Sequence, residues 1–174
     1  MDSTARHKLL TFIDAFSGYN QIKMDEKDQE KTAFIMSQGL YCYKVIPFAL
    51  KNAGATYQRL VNKMINKQIG EIMEVYMDDM LVKSKKELAH LDDLREMFAT
   101  LKQYQMKLNP SKCVFGVASG KFLGFMVSQR GIEANPEKFQ AIINMVSPKT
   151  IKEFQKLIER IAVLNRFVSK ATNK

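Results

Sequence analysis

Along this chain, apolar residues occur in short unbroken blocks suited to strands and, in four other stretches, at the three-and-four spacing of amphipathic helices. Leu9, Leu10, Thr11, Phe12 and Ile13 run without a break into Asp14, and Ser17-Gly18 follows as a bend. That pattern predicts a strand with a carboxylate at its C-terminal end. A charged connection over residues 23–31 leads to two further predicted strands, 32–36 and 41–46, joined by a turn containing Gly39. Pro47 stops the second, because it has no amide to donate to a ladder. From Asn52, an expected N-cap, the spacing is helical. Ala53, Tyr57, Leu60, Val61, Met64 and Ile65 share one face, and Arg59, Asn62, Lys63 and Lys67 share the other.

The second half repeats the alternation. Ser84-Lys85-Lys86-Glu87 has the form of a capping box, opening a helix whose buried stripe would be Leu88, Leu91, Leu94, Phe98 and Leu101. Short strands are expected at residues 112–114 and 122–127, the latter containing Gly124 and turning at Gln129-Arg130-Gly131. Asn135-Pro136 supplies an N-cap and a proline for the first turn of a helix with Phe139, Ile142, Ile143 and Val146 facing inward. A second capping box, Thr150 to Glu153, precedes the stripe Ile151, Phe154, Leu157, Ile158, Ile161, Leu164 and Val168.

Between these halves lies Glu74-Val75-Tyr76-Met77-Asp78-Asp79-Met80-Leu81-Val82, where two charges interrupt an apolar run. Adjacent side chains on a strand point to opposite faces, so a regular strand could not aim both carboxylates at one ligand. A tight hairpin turn at Met77-Asp78-Asp79 could. Taken alone, such a turn reads as solvated, since turns favour Asp. A strand ending in Asp14 can add a third carboxylate beside it on the same sheet. Clustered carboxylates repel one another unless a cation joins them. Mg2+ takes carboxylate oxygens and substrate phosphates together. Two such ions about 3.5–4 Å apart can activate a hydroxyl and stabilise leaving pyrophosphate.

Charge sharpens this picture. Lys and Arg outnumber Asp and Glu by 27 to 18, a formal net charge of +9, which favours nucleic acid as partner before an anionic membrane. The last 26 residues carry Lys149, Lys152, Lys156, Arg160, Arg166, Lys170 and Lys174 against Glu153 and Glu159, a surface suited to a phosphate backbone. No apolar run approaches the ~20 residues of a membrane span, so no membrane partner is expected. Cys42 and Cys113 lack metal-ligand spacing and read as reduced thiols of an intracellular protein. His7 and His90 read as surface or structural residues. At 174 residues and 46% hydrophobic content, the chain can bury a core of one domain, or of one domain and part of another.

Four blocks then carry a resemblance. Residues 9–19, residues 46–58 (Ile46-Pro47-Phe48-Ala49-Leu50-Lys51-Asn52 through Gln58), Tyr76-Met77-Asp78-Asp79 and Lys121-Phe122-Leu123-Gly124-Phe125 occur in the order found in reverse transcriptases. The chain resembles, over about residues 3–170, the RNA-directed DNA polymerase of plant gypsy-type LTR retrotransposons. The resemblance implies an α+β polymerase palm, an antiparallel sheet backed by helices, followed by a short helical thumb-like segment. Residues 1–127 would form the palm without its preceding fingers. Residues 128–174 would form the exit from the primer grip and the start of the thumb.

The resemblance also implies roles. Asp14, Asp78 and Asp79 match the metal-binding catalytic aspartates, holding two Mg2+ ions or Mn2+ in their place, and Lys112 matches a proton donor to pyrophosphate. Ser17 and Gly18 lie where backbone amides meet the triphosphate. Tyr19 lies where an aromatic ring excludes a ribose 2′-hydroxyl, and Phe48 and Ala49 lie in the segment touching nucleotide and template. Tyr76 and Met77 would flank the primer end, with Gln58 near the template. Phe122, Leu123, Gly124 and Phe125 would grip the primer, and Lys156 and Arg160 would face the template. The chain departs from the family at Ala49, where glycine is usual, and at Gly54, where proline is common. The implied partners are an RNA or DNA template with primer and deoxynucleoside triphosphates, within a larger polyprotein acting in a cytoplasmic particle or the nucleus. The rival reading is a non-catalytic remnant that binds nucleic acid through its basic surface.

Overall fold

A computed structural model of the protein describes residues 7–168. Strand β1 (Leu9–Asp14) leads through a 3-10 turn at Gly18–Gln21 and a single-turn helix α1 (Glu26–Gln29) to β2 (Phe34–Met36) and β3 (Gly39–Tyr41). Then come α2 (Ala53–Met64), β4 (Met73–Tyr76), β5 (Asp79–Ser84), α3 (Glu87–Gln103) and β6 (Val114–Val117). Strands β7 (Ser119–Phe122), β8 (Phe125–Ser128) and β9 (Gly131–Ala134) precede helices α4 (Pro136–Ile143) and α5 (Ile151–Val168). Pairing is antiparallel throughout the named strands: β4-β5-β1-β6 form the central sheet, β2-β3 a separate hairpin and β7-β8-β9 a third sheet. This is the α+β, helix-backed antiparallel architecture expected.

Both faces of the central sheet are covered, which is why β1 and β5 are apolar almost without interruption. Ile13, Met80, Val82 and Met73 pack against Tyr57, Val61, Met64 and Ile65 of the α2 segment and Met97 and Leu101 of α3. On the other face Leu10, Phe12 and Leu81 meet Phe122 and Val127 of the β7-β8 hairpin. Phe12 and Phe122 rings lie 6.4 Å apart, and a Cβ on Gly120 would strike the Phe12 ring. The division expected at 127/128 therefore falls inside β8, in a hairpin docked on the palm sheet.

Several sequence expectations change register. Ser84 is no cap: it ends β5, and the helix begins after Lys86 without a side-chain cap bond. The face of α3 that meets the sheet is His90, Leu94, Met97 and Leu101, while Leu88, Leu91 and Phe98 are exposed. Both sets have helical spacing, and the buried set is the one that brings His90 to the hydroxyls of the sheet. Gly39 opens β3 instead of lying in the turn, β3 ends at Tyr41, and both hairpin strands are exposed. The strand expected at 112–114 begins only at Val114, because residues 109–113 are occupied by turn bonds from Lys112 N to Asn109 O (3.1 Å) and from Cys113 N to Pro110 O (3.4 Å). Gly124 is not within a strand. Leu123 (φ 51°) and Gly124 (φ 78°) form the two-residue hairpin turn, where positive φ at both positions matches strand twist.

The C-terminal caps form as expected. Asn135 Oδ1 accepts from Glu137 N at 3.0 Å, and Glu153 N bonds Thr150 Oγ1 while Thr150 N bonds Glu153 Oε2, each at 3.3 Å. The inward stripes do not follow. Leu164 is buried, but Phe139, Ile143, Val146, Ile151, Phe154, Ile158 and Ile161 are exposed, because α4 packs on α5 and α5 on β9 with no further layer among the described residues. The side chains of Arg166 and Val168, and residues Lys170 and Lys174, lie outside the described residues. No described helix is long and apolar enough to cross a membrane.

His7 and His90 are both buried, so neither is a surface residue. His90 joins three elements. Its Nδ1 lies 2.8 Å from Ser84 Oγ and its Nε2 lies 2.8 Å from Thr11 Oγ1. The Ser84 hydroxyl donates to Asp93, so the serine oxygen must accept from Nδ1–H. That leaves Nε2 to accept from the Thr11 hydroxyl, whose oxygen also accepts from Gly116 N at 3.1 Å. Burial holds the His90 pKa below its usual range, against the opposing charge of Asp93. The unfolded chain therefore binds a proton that the folded chain refuses, and stability falls as pH drops below about 6.5. The loss is at most about 1.4 kcal/mol per pH unit for one such group. Urea midpoints between pH 7.5 and 5.5 should fall more in the parent than in His90→Gln; parallel losses would refute this assignment.

Candidate active site

The site begins with register. Asp14, the last residue of β1, pairs directly with Asp79, the first residue of β5. Tyr76 pairs with Asp79 across a two-residue turn, so Met77 and Asp78 form the hairpin tip, Met77 at φ 52°. Two bonds hold that tip: Ala15 N donates to Asp78 O at 3.1 Å, and Met77 N donates to Gln58 Oε1 at 3.0 Å. Gln58 is thus engaged with the turn backbone and with Asn62 (2.9 Å). The sequence did not predict this use of Gln58.

The carboxylates feel one another. Burial raises the pKa of Asp78, the charges of Asp14 and Asp79 add to that, and the Tyr57 hydroxyl and Lys112 oppose it. Asp79 is likewise raised by burial and by Asp14, with Lys112 opposing. Lys112 Nζ lies 3.6 Å from Asp14 Oδ2, with the lysine side chain largely exposed. Asp78 Oδ1 is buried without a hydrogen-bond partner among the described residues, and it fills the space beside Gly18 that a Cβ would take. Tyr57 is fully buried, and its phenol is pushed well up by burial and then by the Asp78 charge.

The donor set suits a hard divalent cation: carboxylate oxygens, one of them orphaned, held among like charges. Among the described residues, no three Asp, Glu, His or Cys side chains converge as a ready ligating group. The chemistry of the donors fits Mg2+ or Mn2+.

Around the carboxylates, Tyr19 stands edge-on to Phe48 and to Tyr57, each at 5.5 Å between ring centres, and its hydroxyl lies 3.8 Å from Met77 Sδ. Ser17 has a left-handed backbone (φ 48°), and Gly18 is buried. Phe48 and Tyr76 are exposed beside this wall, and Ala49 has φ 74°. Ser17, Gly18, Tyr19, Met77, Asp14, Asp78, Asp79 and Lys112 are therefore neighbours. The β7-β8 turn is a separate feature: Phe122 is buried in the core, and Lys138 Nζ sits 5.4 Å from the centre of the Phe125 ring. Lys156 and Arg160 lie on α5, where Arg160 Nη1 donates to Ala141 O at 2.8 Å. Sequence reasoning missed Gln21, whose side chain ties the loop after Asp14 to residue 107. No local pattern marks it, because its partners are backbone groups, one of them 86 residues away.

Two substitutions with opposite signs check this geometry. A Cβ on Gly18 would press into Asp78 Oδ1 and lie 2.8–2.9 Å from Tyr57 ring atoms. Gly18→Ala should lower stability by about 1–3 kcal/mol. Ala49→Gly should raise it by up to about 1 kcal/mol, since glycine adopts positive φ without the steric cost. Urea unfolding measures both, and a midpoint that does not rise for Ala49→Gly would contradict the strained backbone.

The family model for reverse transcriptase (RNA-dependent DNA polymerase) matches residues 1–127. Among curated relatives, the chain is 35% identical over 166 residues to the retrovirus-related Pol polyprotein from transposon opus of Drosophila melanogaster, covering 95% of this chain and 17% of that protein. It is 35% identical over 144 residues to the Pol polyprotein from transposon gypsy of the same organism, covering 83% of this chain and 14% of that one. The Tf2-3 polyprotein of Schizosaccharomyces pombe is 27% identical over 164 residues, covering 94% and 12%. The chain thus spans about one-sixth or less of these relatives. Its fold is similar to that of foamy viral protease-reverse transcriptase in complex with double-stranded DNA, at TM-score 0.85 and 24% identity over 93% of this chain and 29% of that chain. The same viral protein in complex with an RNA/DNA hybrid gives TM-score 0.83 and 23% identity, over 96% and 24%. The match of the family model to residues 1–127 and the 35% identity to the opus polyprotein over 95% of the chain make the chain a member of the reverse transcriptase family.

Proposed function

We propose that this chain is the palm and the start of the thumb of an RNA-directed DNA polymerase from a gypsy-type LTR element, of the plant kind, within a longer polyprotein. It transfers deoxynucleotides to a primer 3′-hydroxyl under the direction of an RNA or DNA template. The observation that carries this reading is the strand register that sets Asp14 opposite Asp79, with Asp78 at the adjoining hairpin tip, in a basic chain. Asp14, Asp78 and Asp79 are the residues that would hold Mg2+ or Mn2+, which would supply electrophilic stabilisation of the attacking hydroxyl and the departing pyrophosphate.

The chain's own groups do the rest. The backbone of Ser17 and Gly18 offers amides to the triphosphate. The Tyr19 ring, braced by Phe48 and Tyr57, offers a wall against C2′ that leaves no space for a ribose hydroxyl. Lys112, ion-paired with Asp14 at 3.6 Å and mostly exposed, would give up a proton to pyrophosphate as it leaves. Tyr76 and Met77 at the hairpin tip, with the turn Leu123-Gly124 and Phe125, bracket the primer end. Lys156 and the remaining donors of Arg160 follow the template backbone.

A second reading has its own support. Asp78 Oδ1 faces inward against Gly18, and among the described residues no three ligating side chains converge. That arrangement also fits a non-catalytic remnant that binds nucleic acid through its basic surface.

Primer extension on an RNA template separates the two. A polymerase requires Mg2+ or Mn2+, and Asp78→Asn abolishes its extension. A remnant binds nucleic acid without metal and keeps that binding after the same substitution; absence of extension both by the parent chain and by a longer chain that carries the fingers would overturn the catalytic reading. Replacing Lys156 and Arg160 together should weaken template binding and flatten its logarithmic salt dependence by about 0.7–0.9 per lost phosphate contact. An unchanged salt series would remove α5 from the template surface.

A further inference from the structure

Between Phe16 and Gln21 the chain leaves the central sheet. Ser17 takes a left-handed backbone conformation, and a 3-10 turn covers Gly18–Gln21. Backbone pairing with the neighbouring segment continues only as far as an isolated bridge between Ala15 and Leu108 and the bond from Phe16 N to Lys107 O (3.0 Å). Gln21 then takes over that pairing with its side chain. Its Oε1 accepts from Lys107 N at 2.7 Å, and its Nε2 donates to Lys107 O at 2.9 Å. A residue in an antiparallel ladder exchanges the same two bonds, so the carboxamide acts as a substitute peptide group. The second Nε2 hydrogen goes to Phe16 O at 2.6 Å and closes the loop on itself.

The amide uses both donors and its acceptor, and all its partners are backbone atoms. Only a carboxamide of this length supplies that combination: a carboxylate has no donor, and an ammonium has no acceptor. The four residues enclosed by the clamp, Ser17, Gly18, Tyr19 and Asn20, include the three assigned above to the incoming nucleotide. The segment at its other end continues through Asn109, whose N donates to Asp14 O at 2.9 Å, to Lys112, which pairs with Asp14. One side chain therefore joins the triphosphate loop to the segment that carries the lysine.

We infer that Gln21 is a positioning residue for the nucleotide: its carboxamide holds the 17–20 loop in the conformation that receives the triphosphate, without touching substrate itself. The inference rests on the polymerase reading. Preorganised backbone donors bind without the cost of ordering the loop first, so removing the clamp should raise the concentration of nucleotide required, leaving primer–template affinity and maximal rate near the parent values.

The test is Gln21→Met, which keeps length and removes all three bonds without adding charge. Lys107→Ala serves as control, because the clamp uses only that residue's backbone. KM for a deoxynucleoside triphosphate should rise roughly tenfold in Gln21→Met, the scale of one well-made hydrogen bond, and stay at the parent value in Lys107→Ala. Amide hydrogen exchange over residues 15–22 supplies a readout independent of chemistry. Without ligand, this segment should exchange faster in Gln21→Met; with Mg2+ and nucleotide, protection should return at roughly tenfold higher nucleotide concentration. If Gln21→Met does not fold, Gln21→Glu gives the same readouts, since it keeps the bond from Lys107 N and loses both that Nε2 donates. Equal nucleotide dependence in parent and variant, or a fall in kcat and thermal stability with KM unchanged, overturns the inference and leaves the polymerase reading intact. A protein that neither extends a primer nor shows nucleotide-dependent protection, as this chain and as a longer chain that carries the fingers, overturns that reading and this inference together.

Discussion

The six paired positions of β1 and β5, from Leu9 against Ser84 to Asp14 against Asp79, fix everything at the candidate site. A one-residue slip would send every side chain of one strand to the opposite face. Leu10 and Phe12 would lose Phe122 and Val127, and Ile13 would lose the helices. Burial of both faces therefore enforces the register that sets Asp14 opposite Asp79. The hydrophobic core and the carboxylate cluster are two consequences of one ladder.

Holding that cluster has an electrostatic cost, and its neighbours are arranged to limit it. Lys112 lies beside Asp14, and its positive charge opposes the rise in the Asp78 and Asp79 pKa values. Gly18 allows the Asp78 carboxylate and the Tyr57 ring to occupy space that any Cβ would claim. Tyr57 in turn braces Tyr19, so acidic tip, the 17–20 loop and aromatic wall share one buried floor on α2. Away from this floor, burial thins. The β2-β3 hairpin and the outer faces of α4 and α5 leave large apolar side chains exposed.

Much of this was readable in the chain, and the readable parts share a cause. The strand ending in Asp14, the hairpin at Met77-Asp78, the Asn135 cap and the Thr150–Glu153 box depend on contacts within a few residues. Failures came where several local solutions were equally good. Along α3, two apolar stripes have helical period, and only the Thr11 and Ser84 hydroxyls offered by the sheet to His90 distinguish them. Ser84-x-x-Glu87 has capping-box form, yet the serine belongs to the strand.

By itself, then, the sequence determined the succession of the longer strands and helices, the basic charge and the four blocks that carry family membership, because spacing, turn chemistry and composition are properties of the chain before it folds. Tertiary structure alone decided which apolar stripe is buried, that Gln58 and Gln21 serve backbone groups 19 and 86 residues away, and that Asp78 Oδ1 is left without a partner. Those outcomes depend on which groups meet across the sheet, and no local pattern encodes a hydrogen bond whose partner is a backbone amide or carbonyl in a distant segment.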